Sequence, residues 1–124
     1  MINKAILNSC CKEGFNESEV YYAYKLFFGT LVSEPRLKII NLLREGSKTV
    51  SEIVENFGAD QTSVSHDLAR LRACGFVEVE VDGKFRRYAL NKATIKPLMD
   101  LIDKHMYGHC IHILKEMRGK QHEK

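Results

Sequence analysis

Two sets of residues in this sequence have types and spacings that suit chemistry. The first runs from Gln61 to Arg70. On a helix, Val64, Leu68 and Leu71 would make one apolar face, and Thr62, Ser65, His66, Ala69 and Arg70 would fall on the other. Gln61 and Ser63 add further short polar side chains to the first turn. Such a face suits the DNA major groove: short donors and acceptors lead, a small alanine permits close approach, and an arginine comes after them. An ordinary surface helix also favours Ser, Thr and Asp at its start, so the face alone does not decide. The second set is His105, His109 and His112, spaced to project within about 60° of one another on a helix, with Cys110 beside them. Neutral imidazole and thiolate are the ligands that zinc, nickel, cobalt or copper prefer. Three of the five histidines fall in this short stretch, although a histidine on a helix edge is more often simply solvated.

Both sets need helices to place them, and the flanking sequence supplies the signals. Val50, Ile53, Val54 and Phe57 repeat at helical spacing, Gly58 stops that helix, and Asp60 stands where it would cap the next. Residues 76–81, FVEVEV, alternate apolar and acidic side chains as a half-buried strand should. Asp82-Gly83 is a strong hairpin dipeptide, because the favoured turn asks for positive φ at both central residues. Residues 84–90 then return as a second strand carrying Lys84, Arg86 and Arg87, which can reach phosphates beside the groove. A helix pair with a basic-tipped hairpin directly after it predicts a winged helix-turn-helix that binds DNA. The fold class is mainly α with a small β-hairpin. Further helices are expected over 4–13, 18–32 and 34–44, and a long last helix over 93–117. Pro35 and Pro97 fall in first turns, where a missing N–H costs little.

The last helix carries a stripe of Ile95, Met99, Ile102, Met106, Ile113 and Met117 at about 3.5-residue spacing. With VYYAYKLFF at 20–28, this is more apolar surface than so small a fold can hide alone. A second copy is the simplest cover, because symmetric dimers are the commonest assembly, and a two-fold dimer matches a two-fold operator. The alternative is that the first and last helices pack on each other within one chain. One domain, 1–124, is therefore expected. Its N-terminal dimerisation helices occupy 1–33, the helix-turn-helix and wing 34–90, the C-terminal dimerisation helix 91–117, and a frayed tail 118–124.

LVSEPRLKIINLLREG (31–46), QTSVSHDLARLRACGFV (61–77) and RRYAL (86–90) together resemble the ArsR-type family of metal-responsive repressors, over about residues 26–102. The resemblance implies a cytoplasmic homodimer that binds a palindromic operator in double-stranded DNA and lets go when it meets an inducer. It also implies places for a metal. Family sensors often set an Asp and a His at the start of the last helix, with a His and a Glu or His near its middle from the opposite subunit. His105 matches the middle position, but Lys92 and Thr94 stand at the start. Thr49 and Ser51 stand where other members carry a Cys pair. Some members place a Cys pair near the N-terminus, as Cys10 and Cys11 do here. Such thiols can bind arsenite when a third sulfur is at hand, and the partner's Cys110 or Cys74 in its LRACG context is a candidate. The second Cys expected one turn before Cys74 is Arg70, and Cys74 also reads as a buried small hydrophobe. The candidate cofactors are thus zinc, nickel or arsenite, and thiol oxidation would use the same cysteines.

Bulk properties narrow the classes. The 124 residues are enough for one modest core, and the net charge of +3 does not by itself argue for nucleic acid. The charge is arranged, however: Glu52, Glu55 and Asp60 precede a basic run of Arg70, Arg72, Lys84, Arg86, Arg87, Lys92 and Lys96. No membrane span or signal-peptide pattern is present, and four cysteines without a disulfide spacing favour a reducing cytoplasm. The chain shows no Cys-x-x-Cys, phosphate-cradling glycine loop or paired-carboxylate site, which argues against an enzyme. Two non-enzyme alternatives stay open. One is a family member without a metal site that answers to thiol oxidation or to a protein; the other is a winged-helix protein-interaction module.

Overall fold

The computed structural model describes residues 1–122, and the elements come in the expected order. Helix α1 spans Lys4–Lys12, α2 Glu17–Leu31, α3 Glu34–Leu43, α4 Val50–Phe57 and α5 Gln61–Ala73. A hairpin of β1 (Val77–Asp82) and β2 (Phe85–Leu90) is next, then α6 (Ile95–His105) and α7 (Ile111–His122), joined through a π-helical turn at Met106–Cys110. The result is a winged helix-turn-helix.

Local chemistry sets most boundaries. Asn16 and Thr49 each close a capping box, with Glu19 and Glu52, so α2 and α4 begin where a side chain replaces the missing intrahelical acceptors. Ser33 caps α3, with Pro35 in its first turn. Gly58 ends α4 with φ of 60°, the left-handed conformation that a side chain would resist. Asp60 holds the expected position before α5, but its carboxylate accepts from the Ser63 hydroxyl at 3.4 Å and makes no side-chain cap to the backbone.

The hairpin turn lies one residue later than expected. Asp82 pairs with Phe85, leaving Gly83 and Lys84 as the loop, and only Gly83 takes positive φ, at 59°. That is the two-residue arrangement with glycine in the first central position. The wing base is fastened to the loop before α4: Lys48 and Tyr88 exchange backbone hydrogen bonds of 3.0 and 2.8 Å.

The core gathers Ile39, Ile40 and Leu43 of α3, Ile53 of α4, Val64, Leu68 and Leu71 of α5, and Phe76, Val77 and Leu90 around the wing. Phe27 of α2 stacks on fully buried Phe76 with ring centroids 4.9 Å apart. The apolar stripe of the last helix divides. Ile95 and Met99 are buried in this core and Ile102 packs against it, whereas Met106, Ile113 and Met117 are exposed. The single long helix expected over 93–117 is interrupted, because the wide turn at Met106–Cys110 re-phases the helix beyond it. That helix also outlasts its expected end. It continues through His122, past the Arg118 at which fraying is expected; residues 123–124 lie outside the described ones. Among the described residues, no helix is long and apolar enough to cross a membrane.

Candidate nucleic-acid interface

Helix α5 sits with Val64, Leu68 and Leu71 against the core, so its opposite face looks outward. Gln61, Thr62, Ser63, Ser65, His66, Ala69 and Arg70 are all exposed. Between α5 and the wing lies a cleft of about 520 Å³, lined by Ser65, Ala69, Arg72 and Ala73 from the helix and Arg86 and Tyr88 from β2. Ser65, Ala69 and Arg72 stand at helical spacing on one row, so the cleft combines small side chains with two arginines. Such a cleft joins groups that suit base edges to groups that suit phosphates. Lys84 stands exposed at the wing tip.

Arg72 is a member of this cleft that the sequence pattern leaves out of the contact set. The signal is present all the same: Arg72 lies seven residues after Ser65 and three after Ala69, hence on their row. Arg70, the arginine expected there, turns towards the body of the protein, and its Nε donates to Thr30 Oγ1 at 3.1 Å. Arg87 is also otherwise engaged. Strand alternation puts it on the face opposite Arg86, where Nε donates to Ser47 Oγ (3.1 Å), one terminal nitrogen to the Ser47 carbonyl (2.8 Å) and the other to Glu52 Oε1 (3.3 Å). Its guanidinium ties the wing to the start of α4 instead of reaching outward.

Two ionisable groups are shifted from their ordinary values. Glu52 is held below the usual carboxylate range, chiefly by the Thr49 backbone N–H that it accepts, and further by the Thr49 hydroxyl and the charge of Arg87. Arg44 is pushed further up by hydrogen bonds to Asp103 (2.6 Å) and Asp100 (2.8 Å), which tie the end of α3 to α6.

The candidate metal ligands meet only in part. His105 and His109 stack with ring centroids 4.6 Å apart across the π-helical turn, and both are exposed. His112 is exposed on α7 and Cys110 is half-buried. Among the described residues, no group of three or more His, Cys, Asp or Glu side chains lies close enough to hold a metal ion within one chain. Cys10 lines an apolar cavity of about 640 Å³ between α1 and α2, with Ile6, Phe15, Tyr22 and Phe27 on its walls, while Cys11 is exposed. Cys74 caps α5 and its Sγ lies 3.3 Å from Thr30 Oγ1, so it is embedded in the fold away from that cavity's lining.

Comparison with known proteins gives this arrangement a setting. Residues 33–79 match the model of the family described as "Bacterial regulatory protein, arsR family". The chain is 36% identical over 75 residues to a probable mercury resistance operon repressor of Streptomyces lividans, and the match spans 60% of each protein. It is 32% identical over 108 residues to the HTH-type transcriptional regulator Rv0081 of Mycobacterium tuberculosis, covering 83% of this chain and 95% of that one. The crystal structure of Rv0081 superposes with a TM-score of 0.69 at 26% identity, over 79% of this chain and 95% of that chain. The solution structure of Mb0332 from Mycobacterium bovis, a homodimeric winged helix-turn-helix DNA-binding domain, shares the fold. Its TM-score is 0.69 at 24% identity, over 75% of this chain and 86% of that one.

Proposed function

The chain belongs to the arsR family of bacterial regulatory proteins, and from that premise we propose that it is a homodimeric transcriptional repressor released from its operator by a metal ion or a thiol-reactive compound. The observation that carries the reading is the cleft between α5 and the wing, lined by Arg72 and Arg86 together with Ser65 and Ala69. In this reading Gln61, Thr62, Ser65 and His66 meet base edges. Arg72, Lys84 and Arg86 meet phosphates and fix the register of the helix in the groove.

Dimerisation is supported by apolar surface that one chain leaves uncovered. Tyr22 and Phe28 on α2, and Met106, Ile113, Leu114 and Met117 on the last helix, are each about half exposed or more. Residues 1–33 and 91–117 would supply the pairing helices and 34–90 the DNA-reading part.

For the inducer, the neighbouring imidazoles of His105 and His109 would offer a transition metal two nitrogen donors. Four-coordinate ions such as zinc need more, so the set would be completed with His112, Cys110 or groups of the second copy. Bound there, the ion would cross-link the last helices and favour one dimer geometry over another. A second reading has its own support: Cys10 lines an aromatic-walled cavity and is followed by Cys11, and one relative is named a probable mercury resistance operon repressor. That reading places a thiophilic inducer at the N-terminal helices.

The test is an operator selected from random duplexes, then titration of the complex with zinc, nickel and arsenite. Release by zinc or nickel that is lost in His105→Ala and His109→Ala supports the histidine site. Release by arsenite that is lost in Cys10→Ser and Cys11→Ser supports the thiol site. Absence of any effect on wild-type binding refutes both, and failure to select any duplex refutes the DNA-binding reading itself.

A further inference from the structure

Three groups from different parts of the sequence meet at the C-terminal end of α2. We propose that Thr30, Arg36 and Arg70 form a brace that fixes α5 against α2 and thereby selects the spacing of the two half-sites the dimer accepts. The proposal rests on the reading of the chain as a dimeric DNA binder.

The last carbonyls of a helix lack intrahelical donors and carry the negative end of its dipole, so a cation is welcome there. Arg36 meets that need for α2: Nε donates to the Thr30 carbonyl at 2.8 Å and a terminal nitrogen to the Gly29 carbonyl at 3.4 Å. The other terminal nitrogen pairs with Asp67 on α5 at 3.4 Å, so one side chain spans both helices.

Thr30 supplies the second tie. It is the one buried polar residue among those described, with no exposed surface. A hydroxyl has one donor and two acceptor positions, and all three have partners here. Oγ1 donates to the Leu26 carbonyl at 2.8 Å, accepts from Arg70 Nε at 3.1 Å, and lies 3.3 Å from Cys74 Sγ. The residues of α5 and its C-cap tied to this end of α2 are thus Asp67, through Arg36 of α3, and Arg70 and Cys74 directly. Their spacing of three, then four, puts them on one face over two helical turns.

That face differs from the apolar one of Val64, Leu68 and Leu71. Apolar packing resists separation but is non-directional, so by itself it defines the rotation and tilt of α5 weakly. Hydrogen bonds have preferred lengths and angles and define both. Because α2 carries exposed aromatic surface that the dimer reading gives to the partner, the brace links the dimer face to the DNA face. Two half-sites about 34–36 Å apart must be met at once, so a shift of a few ångströms in α5 equals a change of about one base pair.

The experiment uses the full chain and fluorescence anisotropy on duplexes with constant half-sites and a spacer varied one base pair at a time. Wild type is expected to prefer one spacing over its neighbours by about tenfold or more. Thr30→Val, which keeps the shape and removes the hydroxyl, and Arg70→Met, an exposed position, should both cut that preference to about threefold or less. Thr30→Ser should restore it. An unchanged spacing profile in Thr30→Val that melts like wild type overturns the proposal. Should Thr30→Val fail to fold, an unchanged profile in Arg70→Met does so equally. Wild-type protein that binds no duplex at any spacing refutes the DNA-binding reading instead, a result distinct from binding without spacing preference.

Discussion

The two neighbouring arginines of β2 offer a sharp comparison, because the structure gives them different work. Arg86 lines the cleft beside α5, whereas Arg87 is turned to Ser47 and Glu52. Each phosphate neutralised by a cation contributes about 0.9 to the slope of log K against log salt. A dimer carries Arg86 twice, so Arg86→Ala should make that slope shallower by about 1.8. Relative to a 1 M reference, the loss at about 0.15 M salt is about 30-fold, or about 2 kcal/mol, on operator and random duplex alike. Arg87→Ala should leave the slope alone. Its loss removes two hydrogen bonds to Ser47, worth about 1–2 kcal/mol together, and should lower Tm by about 3–6 °C. Anisotropy titrations at four or five salt concentrations, with a thermal melt of each variant, measure both quantities. The reasoning is refuted if Arg87→Ala flattens the salt dependence without lowering Tm. It is equally refuted if Arg86→Ala leaves the slope as it was.

Two further predictions concern Glu52 and Met106. The Glu52 carboxyl is held below its ordinary value, so its contribution is present above the unfolded-state value and lost as pH falls through the lowered folded one. Glu52→Gln should therefore reduce Tm at neutral pH and make little difference at the most acid pH at which wild type stays folded; an equal loss at both would remove the charge from the explanation. Met106 is 47% exposed in the single chain, so Met106→Glu should leave the fold of one chain intact. In the proposed dimer seam the new charge would be buried and unpaired, and sedimentation should show monomer with operator binding lost; a variant that stays dimeric moves the interface elsewhere.

The features legible in the sequence are mostly local. Thr49 with Glu52, Gly58, and the run from Phe76 through Gly83 each encode their conformation within a few residues, so the helix pair and the wing can be read directly. Side-chain direction is harder. Period-two alternation separates Arg86 from Arg87, but which of them looks at α5 depends on how the wing packs, and that is settled by Lys48, Tyr88 and the core beneath them. Arg70 misleads for a related reason. Its partner Thr30 lies forty residues earlier, on a helix whose nearness to α5 no local pattern announces.

The last helix carries the most consequential illegible feature. Read as one continuous helix, Ile95 to Met117 makes a single stripe with a single purpose. The π-helical turn at Met106–Cys110 gives its two ends different ones. Upstream, Ile95 and Met99 complete the core of their own chain, and Arg44 clamps α6 through Asp100 and Asp103. Downstream, Ile113, Leu114 and Met117 are left exposed. The turn itself stacks His105 on His109 and places Cys110 at the junction. Single π-helical turns inside α-helices are rare and occur frequently at functional sites. In the proposed dimer, ligands gathered there would act where the part anchored to the DNA-reading domain meets the part that faces a partner. A site within α6 would press on an element already fixed by its own packing and by Arg44.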